Sequence, residues 1–165
     1  MSKKLTFIAE NENIEITTES IKEIALISNG DMRRGIMLLQ NLKYLNKAIK
    51  ITDIYEVANM VLNSSLNKII DICIIDRTSD IKSVVKLAND FRKSGYPINS
   101  VLKQLNLAIV ASDVLSNKMK SLIALHLSNT EKRLLNGADE YLQLLNVFTL
   151  IKSIALDIDT VYNNV

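Results

Sequence analysis

Apolar residues recur at three- and four-residue spacing along most of this chain, the pattern of helices that bury one face. Met32, Ile36, Leu39, Leu42, Tyr44 and Leu45 predict a helix over 32–46. Similar patterns predict helices over 3–12, 19–28, 53–59, 66–76, 80–93, 98–112, 117–136 and 139–158. One Pro and four Gly leave few breaks between them. Thr17 or Thr18 is the expected cap of the second helix, and Thr52 of the short fourth one. Ser20 and Glu23 also have capping-box spacing, but a start there costs the helix a turn. Thr6-Phe7-Ile8 and Ile14-Glu15-Ile16 are β-prone, yet each is brief and flanked by polar residues. The expected class is therefore all-α. A boundary is expected near 50–52, giving one unit over 1–50 and a helical bundle over 51–165.

The last helix is apolar on most sides, from Tyr141 and Leu142 through Phe148 and Ile151 to Ile158. Such a helix must be buried on most sides. Part of its surface is expected to meet another subunit. The alternative is that it forms the bundle's central helix. Asn136-Gly137 supplies a C-cap before it. Asp139 and Glu140 follow at its start, where the helix dipole favours acids.

The segment Ser28-Asn29-Gly30-Asp31-Met32-Arg33-Arg34-Gly35 places two arginines in the first turn of a helix. Asn-Gly marks a turn, and Asp31 is a good N-cap. Cations at the positive end of a helix cost a few tenths of a kcal/mol. A broken local rule often marks function, and a helix N-terminus with arginine is suited to a phosphate. The competing reading is that Asp31 offsets both arginines and they face water.

The same residues carry a resemblance. Ser28 to Gln40 resembles the sensor-2 motif of replication factor C small subunits, AAA+ ATPases that load the sliding clamp onto primed DNA. Residues 3–42 resemble the family's lid, and "FRKSGYPINSVLKQL" resembles its collar. "GADEYLQL" within the last hairpin is the most specific piece. The resemblance implies a three-helix AAA+ lid followed by a helical-bundle collar. It gives Arg33 the sensor-2 role, contacting the γ-phosphate of a nucleotide, with Asp31 as helix cap. Arg34 either assists or faces water; one bidentate guanidinium suffices, which favours water. The collar role makes Gly137, Ala138, Glu140, Tyr141, Gln143, Leu144, Phe148 and Ile151 candidate interface residues. Gly95-Tyr96-Pro97 matches the family and physically ends one helix and starts the next.

No phosphate loop, metal-binding acidic motif or arginine finger is found in these residues. The expectation is a C-terminal part of a clamp-loader subunit with no ATPase activity of its own. ATP and Mg would be engaged only through a core outside this sequence. Met1 is read either as the start of a split or shortened gene or as an artificial start. The implied partners are the other subunits of a heteropentamer and, through the complex, the sliding clamp and primer-template DNA. A homo-oligomer in isolation is also open. A naturally short scaffold or assembly modulator of the loader is the alternative. A helical DNA-binding protein is a third reading.

Composition narrows these. Apolar residues make up 48%, charged residues 23%, and the net charge is +2. That balance is ordinary for a globular domain and argues against binding DNA by charge alone. Tyr44, Tyr55, Phe91 and Tyr96 are too scattered for a base-stacking platform. One Cys excludes an internal disulfide, and no apolar run approaches the roughly 20 residues of a spanning helix. An intracellular, soluble chain is expected, nuclear in a eukaryote. Cys73 reads as a small buried hydrophobe. His126 has no ligand partner at metal spacing, so no metal site or catalytic triad is expected. Asp157 and Asp159 read as a helix end rather than an acid-base pair.

Overall fold

The computed structural model describes residues 1–45, 47–76 and 78–156. Its helices fall into two units, Met1–Met60 and Val61–Val165. The class is all-α, as the spacing predicts.

In the first unit, α1 (Ser2–Asn11), α2 (Thr18–Ile27) and α3 (Met32–Lys43) pack against one another. Each contributes one apolar stripe: Leu5 and Ala9, Ile21 and Ile24, then Leu38, Leu39 and Leu42. The Thr17 hydroxyl caps α2 by accepting from the Ser20 amide at 3.2 Å. Of the two threonines, Thr17 is thus the cap. α3 stops at Lys43 rather than running on to 46. The β-prone run at 14–16 makes a single parallel bridge, Ile16 to Ile49, closed by the Ile49 amide on the Glu15 carbonyl at 3.2 Å.

The expected boundary at 50–52 is corrected. The next helix, α4 (Ile51–Val57), packs on α2 and α3 and belongs to the first unit. Ile54 is fully buried there, and the Tyr55 hydroxyl donates to Glu23 on α2 at 2.6 Å. Among the described residues the unit therefore has four helices and ends at Met60, not three ending at 50. Thr52 lies within α4 and is not its cap. Asp53 does that work, its buried carboxylate accepting from the Lys50 amide at 2.9 Å and from Lys47 Nζ at 2.8 Å.

The Lys47 hydrogen bond first, and the Lys50 amide second, hold the Asp53 carboxyl below the usual carboxylate range. Its contribution to stability is then complete above the unfolded value of about 4. It is lost as pH falls through the lower folded value. We expect the gap in urea midpoint between the wild-type chain and Asp53→Asn to be widest near neutrality. It should close on acidification, and a gap that stays constant down the pH series would contradict this.

Gly35 lies buried inside α3. An added Cβ would stand 2.7 Å from the Met1 methyl and 3.2 Å from Ser28 Oγ. A helix-interior glycine ordinarily costs about 1 kcal/mol against alanine. Here it permits close approach of the neighbouring chain. Gly35→Leu is expected to destabilise this unit by about 1–3 kcal/mol through overpacking, read as a lower urea midpoint.

In the second unit, α5 (Asn63–Ile70) runs into a π-helical turn, Asp71–Ile75. Then come α6 (Ile81–Ser94), α7 (Ile98–Ala111), α8 (Asn117–Leu135) and α9 (Glu140–Ala155). Its centre is α9, which packs on α6, α8 and the π turn. Phe148 meets Phe91 of α6 edge-on, with ring centroids 5.7 Å apart. Leu144, Phe148 and Ile151, read from sequence as interface residues, are buried in the chain's own core. The apolar breadth of α9 is thus met by α6, α8 and the π turn. Asp157 and Asp159 lie outside the described residues.

Candidate functional site

The turn between α2 and α3 uses two left-handed residues, Asn29 at φ 48° and Gly30 at φ 83°. Glycine adopts this region freely, and asparagine is among the residues that tolerate it best. The Asp31 amide closes the turn on the Ser28 carbonyl at 2.9 Å. Asp31 Oδ1 then accepts from the backbone amides of Arg33 at 2.9 Å and Arg34 at 3.3 Å. Its carboxylate therefore satisfies the helix start and not the guanidinium groups. Both arginine side chains are exposed, and among the described residues neither has an ion-pair partner. Two exposed cations thus stand at the positive end of a helix whose first amides already hold one carboxylate.

Arg33 heads a longer stripe. Met37, Gln40 and Tyr44 follow it at helical spacing, all exposed, with Met37 at 55% and Tyr44 at 81%. The outer face of α3 is therefore an arginine followed by uncovered apolar surface.

The second unit brings together two segments distant in sequence. Phe91, Arg92, Tyr96, Pro97, Tyr141 and Leu144 line a cleft of about 180 Å³. The Arg92 guanidinium lies 5.3 Å from the Tyr141 ring centroid, within cation–π range. Gly95, at φ 69°, ends α6 and turns the chain into this cleft. Gly137, at φ 87°, ends α8 in the same way, with its amide on the Leu134 carbonyl at 3.0 Å. Gly137 and Glu140 are exposed; Ala138, Tyr141 and Gln143 are half-buried. Those five of the sequence-read interface residues therefore reach the surface.

Sequence reasoning missed a different uncovered face. Leu107 and Val110 on α7 are 69% and 56% exposed, and Val114 just beyond is 65% exposed. The signal was present, because α7 already fills its inner face with Val101, Leu102, Leu105 and Ile109. Further apolar residues on such a helix must point outward.

Neither of the other singled-out residues forms a reactive centre. Burial pushes the Cys73 thiol up to about 12, so the thiolate nucleophile is scarce at neutral pH. His126 is held below its ordinary value, by burial first and by Arg133 second. No group of metal-ligating side chains is present among the described residues. Nor is any of the described helices long and apolar enough to cross a membrane.

Residues 3–43 match the RCF1/5-like AAA+ ATPase lid domain. Residues 61–149 match the replication factor C C-terminal domain. The chain belongs to the replication factor C family. The second match begins where the second unit begins, and α4 falls between the two. Replication factor C subunit 2 of Saccharomyces cerevisiae is 34% identical over 92% of this chain and 44% of its own length. Replication factor C subunit 4 of Arabidopsis thaliana is 32% identical over 89% of the chain and 43% of its own. For human replication factor C subunit 4 the figures are 31%, 88% and 39%. The chain thus spans less than half the length of these replication factor C relatives. It carries the family's lid and C-terminal domains in that order.

Proposed function

We propose that this chain serves as the lid and collar of a replication factor C small subunit in ATP-dependent loading of the sliding clamp onto primed DNA. The lid senses nucleotide through Arg33, and the collar holds subunits together. The observation that carries the reading is the Arg33 guanidinium itself. It is exposed at the positive end of α3, with the nearest carboxylate hydrogen-bonded to the Arg33 and Arg34 backbone amides. A γ-phosphate presented by an ATPase core would complete that site, and its loss on hydrolysis would release the contact. The Met37 and Tyr44 stripe gives such a core an apolar surface on the same helix face. Arg34 serves at most as a helper. ATP and Mg are engaged through the core, and hydrolysis needs groups that the core supplies.

For assembly, the exposed face of Leu107, Val110 and Val114 joins Glu140, Tyr141 and Gln143 as the contact surface. The partners are other replication factor C subunits, and through them the clamp and primer-template DNA. A eukaryotic host would use such a protein in its nucleus.

The test is Arg33→Ala in a clamp loader reconstituted with the subunit that contains this chain. Loss of a charge-assisted phosphate contact is expected to lower ATP-dependent clamp loading about tenfold or more. Subunit assembly should persist. Loading at the wild-type rate would refute the sensing role. Leu107→Asp is expected to do the reverse, weakening assembly while α-helical content stays unchanged.

A further inference from the structure

Two Asn-Gly pairs occur in exposed turns, Asn29-Gly30 before α3 and Asn136-Gly137 before α9. Asparagine followed by glycine is chemically labile, because no side chain shields the glycine nitrogen. That backbone nitrogen can lose its proton and attack the asparagine Cγ. The new N–Cγ bond forms a five-membered succinimide. The Cγ–Nδ2 bond breaks, and the amide nitrogen leaves as ammonia with the proton given up by the glycine. Water then adds to either ring carbonyl, leaving aspartate or isoaspartate. No oxidant or cofactor is required.

The attacking nitrogen must be free, and here the two turns differ. The Gly137 amide donates to the Leu134 carbonyl at 3.0 Å, and the Ala138 amide to the Arg133 carbonyl at 3.1 Å. That hydrogen bond holds the Gly137 nitrogen within the helix end. The Gly30 amide has no acceptor among the described residues. The Asn29 side chain is exposed and makes no hydrogen bond among them either. Nothing lies within 4 Å of the position a Cβ would take on either glycine, so the hydrogen bonding of the attacking nitrogen is what separates the two turns.

We infer that Asn29-Gly30 is a self-modification site, at which Asn29 deamidates in the native chain faster than Asn136. The product sits at the turn that starts the arginine helix. Aspartate adds a negative charge close to Arg33. Isoaspartate also inserts a methylene into the backbone, where the Ser28–Asp31 hydrogen bond sets the start of α3. Any effect on nucleotide sensing rests on the reading of Arg33 given above; the modification itself does not.

The experiment holds the full 165-residue chain at neutral pH and physiological temperature, with a parallel sample in urea. Peptide mapping follows the gain of about 1 Da at each asparagine and separates the two isomers. Conversion at Asn29 is expected to run severalfold ahead of Asn136 in the native sample, and the two rates should converge in urea. Conversion at Asn136 as fast as at Asn29 in the native chain would overturn the proposal. So would a rate ratio unchanged by urea, which would assign the difference to neighbouring residues. The mapping needs no nucleotide, so its failure is separable from failure of the sensing role.

Discussion

Phe148→Ala is expected to destabilise the second unit by about 3–5 kcal/mol, the range for emptying a fully buried aromatic site. Phe148 is 0% exposed and stands edge-on to Phe91, with Val147, Ile151 and Ile154 buried on the same helix. The cavity would open between α9 and α6, both of which present large, rotamer-limited side chains that relax poorly. Phe148→Leu keeps most of the volume and should cost about 1.5 kcal/mol or less. Urea titration followed by far-UV circular dichroism gives the size of the change. Hydrogen exchange should locate it in the amides of α6 and α9. A cost under about 1 kcal/mol, joined to loss of subunit association, would restore the interface role that the sequence suggested for Phe148.

That outcome bears on what a sequence can show. Most helix positions and the caps of α2 and α3 were legible because they depend on neighbours a few residues away, whereas Thr52, expected as the cap of α4, lies inside it. Thr17 and Asp31 cap helices as their residue types predict. The family was legible because residues 28–40 and the last hairpin carry its motifs. Burial of α9 was expected, but what covers it was not legible, because periodicity reports how much apolar surface exists and not which elements meet it. The boundary failed for a related reason. Ile54 and Tyr55 look like the start of a new bundle until Tyr55 is seen to reach Glu23, a partner far off in sequence. At the arginine site Asp31 accepts from the Arg33 and Arg34 backbone amides and both side chains are exposed, a placement that fits the water-facing reading as well as the phosphate one.

Lys152 was invisible for the same physical reason, and it carries the second large effect. A lysine inside an apolar helix suggests an exposed edge, yet Lys152 is buried. Its Nζ donates to the carbonyls of Ile72 at 3.0 Å and Asp76 at 2.9 Å, and to the Ser79 hydroxyl. The π turn Asp71–Ile75 leaves those carbonyls facing α9. The ammonium satisfies them together with the Ser79 hydroxyl, which lies 2.9 Å from the Ile72 carbonyl and 3.0 Å from that of Asp76. Replacing a buried charge with a hydrophobe can be neutral when its partners are replaced too. Backbone carbonyls cannot be replaced, so Lys152→Met keeps the volume and leaves the two carbonyls to share the single Ser79 hydroxyl donor. We expect a loss of about 2–4 kcal/mol. Lys152→Arg should not restore it, because a planar fork does not reproduce three donors on a point charge. Cys73 lies on the same turn, buried, with its thiol pushed up to about 12. It therefore reports opening of the turn directly. A thiol reagent should label native Cys73 slowly, and Lys152→Met should speed labelling about 30-fold for each 2 kcal/mol lost locally. Equal labelling rates and an unchanged urea midpoint would show that water can take the place of the ammonium at this turn.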